Sequence, residues 1–367
     1  MNKNQLVPEL FILRSVACLS VVLLHALTST IVHFHPDEDT AGTVLRTIQL
    51  LLLYSTPLFV FIAEFLNAYN YREKVPANFF KKRIQFIFVP YVVMGCFYAV
   101  YTEFANGTAA IFAKMLKNVL LGDYHGYFVL IIFQFYLLHV VFFRIQQRFS
   151  PRWVLIAAFV INAAYLSVFN FIDPPAIPYG GLIWNRLSWL PFIGWLFYFV
   201  LGYYAGAYYG AFKEWVAARQ PLLFASWLLS GALLVALNHF GVIEGMSSKR
   251  VDVLLFTTAT VLFGFSLCMK VRRLPKAVIL ISTYSFGIYL LHPLFQNLTY
   301  RLLESGHVPA PRQLVLLIGL FFATGTLLSM LAMYLLNKLP FGKYAVGKIG
   351  PVPKEKRPVP ASAGQSV

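Results

Sequence analysis

From Pro8 to Ile31 the chain reads PELFILRSVACLSVVLLHALTSTI, apolar apart from Glu9, Arg14, His25 and a few hydroxyl side chains. At about 1.5 Å per residue such a run crosses the roughly 30 Å hydrocarbon core of a bilayer. It is too long for a removable signal peptide and lacks both a basic leader beyond Lys3 and a small-residue cleavage site. It therefore reads as a first membrane span. Arg14 and His25 stand eleven positions apart in it. Eleven steps of about 100° make three turns plus roughly 20°, which puts both side chains on one face, about 16 Å apart along the axis. A charged side chain near the middle of a span costs about 2.5–3.5 kcal/mol, so such residues are functional candidates by default. The structural alternative is Arg14 snorkelling to the headgroups and His25 hydrogen-bonded inside a packed bundle.

The same hydropathy recurs along all 367 residues, of which 59% are hydrophobic and only 12% charged, with 35 Phe and 21 Tyr. Ten spans are read, near 8–31, 45–68, 84–104, 126–144, 153–170, 189–211, 222–240, 251–270, 277–298 and 313–336. The expected fold is all-α, a polytopic membrane protein built as a bundle of about ten transmembrane helices. Residues 1–340 form one transmembrane domain, and 341–367 form a Lys/Pro/Gly-rich basic tail expected to be disordered. The net charge of +16 invites a nucleic-acid reading. With the N-terminus inside, however, 21 of the 30 Lys and Arg residues fall in internal segments and 8 in external ones. That is the positive-inside bias, so the charge sets topology: a multi-pass cell-membrane protein with both termini cytoplasmic and no nucleic-acid partner. Cys18, Cys96 and Cys268 all lie within spans and read as packing residues, with neither bridges nor a metal site expected. The external segments include an acidic stretch, Asp37–Asp39, and the rigid aromatic loop FIDPPAIPYGGLIWNRLS, residues 171–188. That loop suits either a cover for an external substrate or an interfacial anchor.

Desolvation among apolar side chains disfavours an imidazolium, so His25 reads as neutral near pH 7 and able to take a proton from a hydroxyl nucleophile. Arg14 keeps its charge and sits nearer the cytoplasm, where it suits an anionic ligand. The basic cluster Lys81, Lys82 and Arg83 opens the third span in NFFKKRIQFIFVPY. It suits a phosphate-binding rim for a nucleotide-bearing donor, or topology alone. Glu64 in STPLFVFIAEFL, and the pair Tyr289 and His292 in TYSFGIYLLHPLF, are supporting candidates. His33, His35, His125 and His307 fall in or near loops, and His139 and His239 have no ionisable partner at helical spacing, so all six read as structural. Glycine-rich phosphate loops, HExxH and GxSxG are not found.

Taken in order, LRSVACLSVVLLH, STPLFVFIAEFL, KKRIQFIFVPY and YSFGIYLLHP resemble the motifs of the acyltransferase 3 family of membrane acyltransferases. GDYHGYFVLIIFQFYLL and GWLFYFVLGYYAG are most similar to its intercellular-adhesin branch, tied to poly-N-acetylglucosamine biofilm polysaccharide and to O-succinyl transfer. The resemblance implies an acyl-coenzyme A donor from the cytoplasm and a polysaccharide hydroxyl as acceptor, with no permanently bound cofactor. It implies catalytic weight on His25 and Arg14 and donor contacts on Arg83, beside Lys82 and Lys81. Many members carry Ser-Gly where this chain has Ala63–Glu64, and a second arginine where it has Phe86. The expected function is therefore O-acylation (acetyl or succinyl) of a surface polysaccharide with His25 as general base, working beside polysaccharide synthase machinery. The alternative is an exporter or flippase of such a polymer. That role favours internal repeats and broken helices at corresponding positions, and no repeat is found.

Overall fold

The computed structural model describes residues 7–34, 40–71, 74–310 and 313–350. Lys3, His35, Asp37–Asp39, Arg72, Arg312 and 351–367 of the expected tail lie outside them. The helices in chain order are α1 (Pro8–Phe34), α2 (Thr40–Leu52), α3 (Ser55–Asn70), α4 (Phe79–Arg83) and α5 (Val89–Glu103). Then follow α6 (Thr108–Leu121), α7 (Phe128–Ile145), α8 (Pro151–Phe171), α9 (Gly180–Trp189), α10 (Leu196–Ala207) and α11 (Tyr209–Ala217). The last are α12 (Gln220–His239), α13 (Val251–Cys268), α14 (Lys276–Glu304), α15 (Leu314–Asn337) and α16 (Gly342–Ala345). Among the described residues there is no strand. Among the described residues nine helical stretches are long and apolar enough to cross a membrane, and a tenth is made if α9 and the helical stretch from Phe192 through α10, bent by 40°, form one path. The protein is a polytopic all-α membrane protein, because a bilayer offers no water to unpaired backbone groups and helices satisfy them internally.

Two glycines let the tightest pair form. A Cβ at Gly202 of α10 would lie 2.6 Å from the Phe61 carbonyl oxygen of α3, and one at Gly206 would overlap that of Phe65. Their four-residue spacing is the small-residue motif by which membrane helices bring backbones together. α1 packs centrally, against α3, α13, α14 and α15. It runs parallel to α14: near their starts Ser15 Oγ donates to the Val278 carbonyl at 2.7 Å, and near their ends His33 stacks on Tyr300. α13 runs the other way, with Gly264 near its finish against Leu13.

Three prolines shape the interior. Pro57 opens α3 after a break at Leu53–Tyr54, Pro90 follows a π-turn at Ile84–Phe88, and Pro293 sits inside α14. A proline lacks the N–H that would bond the carbonyl four residues back, and its ring crowds that carbonyl. The residues at that position are Leu53, Phe86 and Tyr289, and all three line the same central cavity. Irregular backbone at membrane depth is tolerated where it borders a cavity.

The chain end differs from expectation. The tail was expected to begin at 341, yet 341–350 pack onto the bundle. Val346 is buried, Tyr344 stacks on Phe86 at 5.9 Å, and Gly350 N–H donates to the Thr283 carbonyl at 3.4 Å. Apolar Tyr344 and Val346, hidden among basic neighbours in sequence, supply the anchorage that composition alone does not reveal.

Candidate active site

The cavity has a volume of about 550 Å³ and lies between α1, α3, α7 and α14. At the end where α1 and α14 begin, Phe86, Phe286 and Lys348 wall it. At the end where α13 begins, Met246–Lys249 do so. From α1 it takes Arg14, Val21, Leu24 and His25. These positions fall on one helical face, as the eleven-residue spacing implies. Three lysine or arginine side chains line it, Arg14, Lys249 and Lys348, and among the described residues no Asp or Glu does.

His25 is half-buried, and among the described residues its ring makes no hydrogen bond. Two more imidazoles stand beside it. The His292 ring is 5.1 Å from His25, centroid to centroid, and His125 is 6.0 Å from His292. His292 Nδ1 lies 2.8 Å from the Ile288 carbonyl, so Nδ1 carries the proton and the buried, unpartnered Nε2 holds a lone pair. His125 Nε2 likewise faces the Leu290 carbonyl at 3.0 Å, which fixes its proton there. Tyr289 Oη donates to the His125 carbonyl at 2.6 Å and Tyr98 Oη to the Leu290 carbonyl at 3.0 Å, so both imidazoles sit in a braced wall.

His125 was read from sequence as a loop residue. It reaches the cavity because the chain breaks between α6 and α7. Gly122 closes α6 in the left-handed region (φ 61°), and a short 3₁₀ turn at His125–Tyr127 leads into α7. The signal that marks it is GDYHGY, a histidine set between two glycines at the head of an apolar run.

Arg14 shares the cavity wall with His25, and among the described residues it has neither a hydrogen-bond acceptor nor a carboxylate partner. Arg83 is differently placed. Its Nη1 donates to the Phe79 carbonyl at 3.1 Å and its Nη2 to Asn67 Oδ1 at 2.7 Å. The guanidinium lies 3.4 Å from the Phe79 ring centroid and 4.6 Å from that of Tyr136. It is thus built into the wall behind Tyr136 and does not line the cavity, and Lys81 and Lys82 are exposed beside it. Glu64 belongs to the same wall. It is fully buried, with Oε1 2.6 Å from His139 Nδ1 and Oε2 accepting from Asn67 Nδ2 at 3.3 Å. The residue following Ala63 is therefore neither a headgroup contact nor a lysine's partner. His139, read as partnerless because its partner lies 75 positions away, completes the pair. Removing one member of a buried hydrogen-bonded pair strands the other, at a cost of about 1–3 kcal/mol. His139→Ala is therefore expected to lower the thermal midpoint in detergent markedly, and Glu64→Gln, which keeps a hydrogen-bonding group opposite His139, much less. Equal small losses in the two variants would show that the pair is not a brace.

At the other end, Lys249 Nζ donates to Tyr127 Oη at 3.1 Å and lies 4.8 Å from the Trp195 ring centroid. Arg250 fixes this loop. It is buried and bonds both Asp252 carboxylate oxygens, at 3.1 and 2.7 Å, together with Asn238 Oδ1 and the Gly245 carbonyl.

Fold and site together define a multi-pass membrane protein with a cavity of ligand size, basic and imidazole-lined, inside the bundle. The acyltransferase domain model of the acyltransferase 3 family matches residues 7–336, and the chain belongs to that family. It is 40% identical over 358 residues to YfiQ of Bacillus subtilis, which bears the name of a membrane-bound acyltransferase, covering 96% of this chain and 97% of that protein. It is 27% identical to proteins of Staphylococcus aureus and Staphylococcus epidermidis named for poly-β-1,6-N-acetyl-D-glucosamine export. Those matches cover 78% and 80% of this chain and 81% and 82% of the relatives. No solved structure matches the chain.

Proposed function

We propose that the chain moves an acetyl or succinyl group from acyl-coenzyme A, arriving from the cytoplasm, to a hydroxyl of a cell-surface polysaccharide. The observation that carries this reading is the placing of Arg14 and His25, neither hydrogen-bonded among the described residues, on one wall of a cavity that no described carboxylate lines. A carboxylate at the wall would neutralise Arg14 and repel an anionic donor; its absence leaves the cation for a ligand.

In this scheme a ring nitrogen of His25 takes the proton of the sugar hydroxyl as that oxygen bonds to the thioester carbonyl carbon. The carbonyl electron pair moves onto its oxygen. When the carbonyl re-forms, the carbon–sulfur bond breaks and the coenzyme A thiolate leaves, recovering the proton from the His25 imidazolium. His292 packs beside this ring, 5.1 Å between centroids, and so limits the orientations that His25 can take. Tyr289 supports the wall through the His125 carbonyl.

The test is transfer by the purified protein from acetyl- and succinyl-coenzyme A, read as free thiol release, with mass spectrometry of the surface polysaccharide from cells with and without the chain. Acyl groups missing only from cells that lack the chain support the reading. A second reading, polysaccharide export, is favoured by the names of the staphylococcal relatives and by cavity walls drawn from both ends of the bundle. A volume of about 550 Å³ suits one small ligand better than a polymer. Glycan binding without any acyl turnover would decide for export.

A further inference from the structure

We propose that Lys348, on the chain's C-terminal segment, holds a phosphate group of the donor at the mouth of the cavity, a role the sequence placed on Arg83. The inference rests on the reading that the donor is acyl-coenzyme A.

Three observations lead to it. Lys348 lines the cavity with Phe86 and Phe286, whereas the Arg83 guanidinium is committed to Asn67, the Phe79 carbonyl and two aromatic faces. The Lys348 ammonium has no carboxylate partner among the described residues; its one ring contact is the Phe86 face, 5.8 Å from the centroid. Its backbone, finally, is fixed. Gly347 adopts φ 84° and packs so closely on Phe286 that any Cβ would overlap the ring. The Gly347 carbonyl accepts from Asn337 Nδ2 at 3.1 Å, and Tyr344 Oη accepts from Gln85 Nε2 at 2.9 Å.

A lysine carried on a loose tail would spread its charge over many positions. Held on this segment, the ammonium stays at the mouth, with three donors and no competing anion among the described residues. A compact, rotatable ammonium suits a phosphate approached from several directions. Arg14, on α1, supplies a second cation to the same cavity. The phosphates of coenzyme A and those of a lipid headgroup share the chemistry that Lys348 recognises, and the choice of donors separates them.

The experiment uses the full chain purified in detergent, with acyl-coenzyme A and the matching acyl-pantetheine, which has the thioester but lacks the nucleotide phosphates. Lys348→Ala is expected to raise KM for acyl-coenzyme A about tenfold, leaving kcat within about twofold. The preference for acyl-coenzyme A over acyl-pantetheine falls by the same factor. Lys348→Arg restores it, and added salt raises KM more steeply in the parent than in Lys348→Ala. An unchanged preference in Lys348→Ala overturns the assignment, and so does an equal loss with both donors, as contact with lipid headgroups alone would produce. If the parent protein turns over no acyl-coenzyme A, the functional reading itself falls, and this inference with it.

Discussion

His25→Ala is expected to transfer acyl groups about 10²–10⁴-fold more slowly than the parent, because a positioned general base contributes that much. The loss should appear in kcat, with KM for the donor little changed, since the imidazole acts on the acceptor hydroxyl and the donor's anionic end is held elsewhere. Folding should survive: among the described residues His25 bonds to nothing, so its removal strands no partner. Size-exclusion behaviour and thermal midpoint check that point directly. His292→Ala provides the contrast. If His292 only orients His25, its loss costs about tenfold. An equally severe loss would place His292 among the groups that touch the reacting atoms. A His25→Ala protein that is folded and fully active would end the base assignment, whatever the cavity looks like.

The spans were legible because hydropathy is a local property, and so was the shared face of Arg14 and His25, since a regular helix repeats without reference to its neighbours. What sequence reading missed has one physical character: it depends on where separate helices meet. Glu64 and His139 make a buried hydrogen bond across α3 and α7, and no periodicity along either helix points to the other. His125 reaches His292 only because the chain steps inward after Gly122, and a short 3₁₀ turn leaves a weak trace in composition. Arg83 was legible as a cation near a span end, but not as one stacked on Phe79 and bonded to Asn67. Lys348 was hidden for the opposite reason. Its neighbours Gly347, Gly350 and Pro351 read as loose tail, whereas Val346 and Tyr344 fasten the segment to α14 and the π-turn. Leu53, Phe86 and Tyr289 each stand four positions before a proline, so this part of the cavity lining could be found from the prolines once they are known to lie inside spans.

Arg14 gives the second large effect, and its sign separates function from structure. A permanent cation within a span and without a partner costs about 2.5–3.5 kcal/mol. A residue kept there for packing would stabilise the fold, whereas one kept for a ligand strains it. Arg14→Gln is therefore expected to leave the thermal midpoint in detergent unchanged or raised by a few degrees, while kcat/KM for acyl-coenzyme A falls about 10²-fold. That loss corresponds to roughly 2–3 kcal/mol, the scale of a charge-assisted hydrogen bond removed from a low-dielectric site. Arg14→Lys should recover only part of it, because an ammonium cannot reproduce the planar two-point contact of a guanidinium. Saturating donor should raise the parent's thermal midpoint more than that of Arg14→Gln, since only the parent gains a counter-ion for the Arg14 guanidinium when ligand binds. If Arg14→Gln instead lowers the midpoint, and its activity tracks the fraction that remains folded, Arg14 is a structural residue and the cavity's positive field has another purpose. Opposite movements of stability and activity would mark a charge that the bundle tolerates for the sake of the molecule it binds.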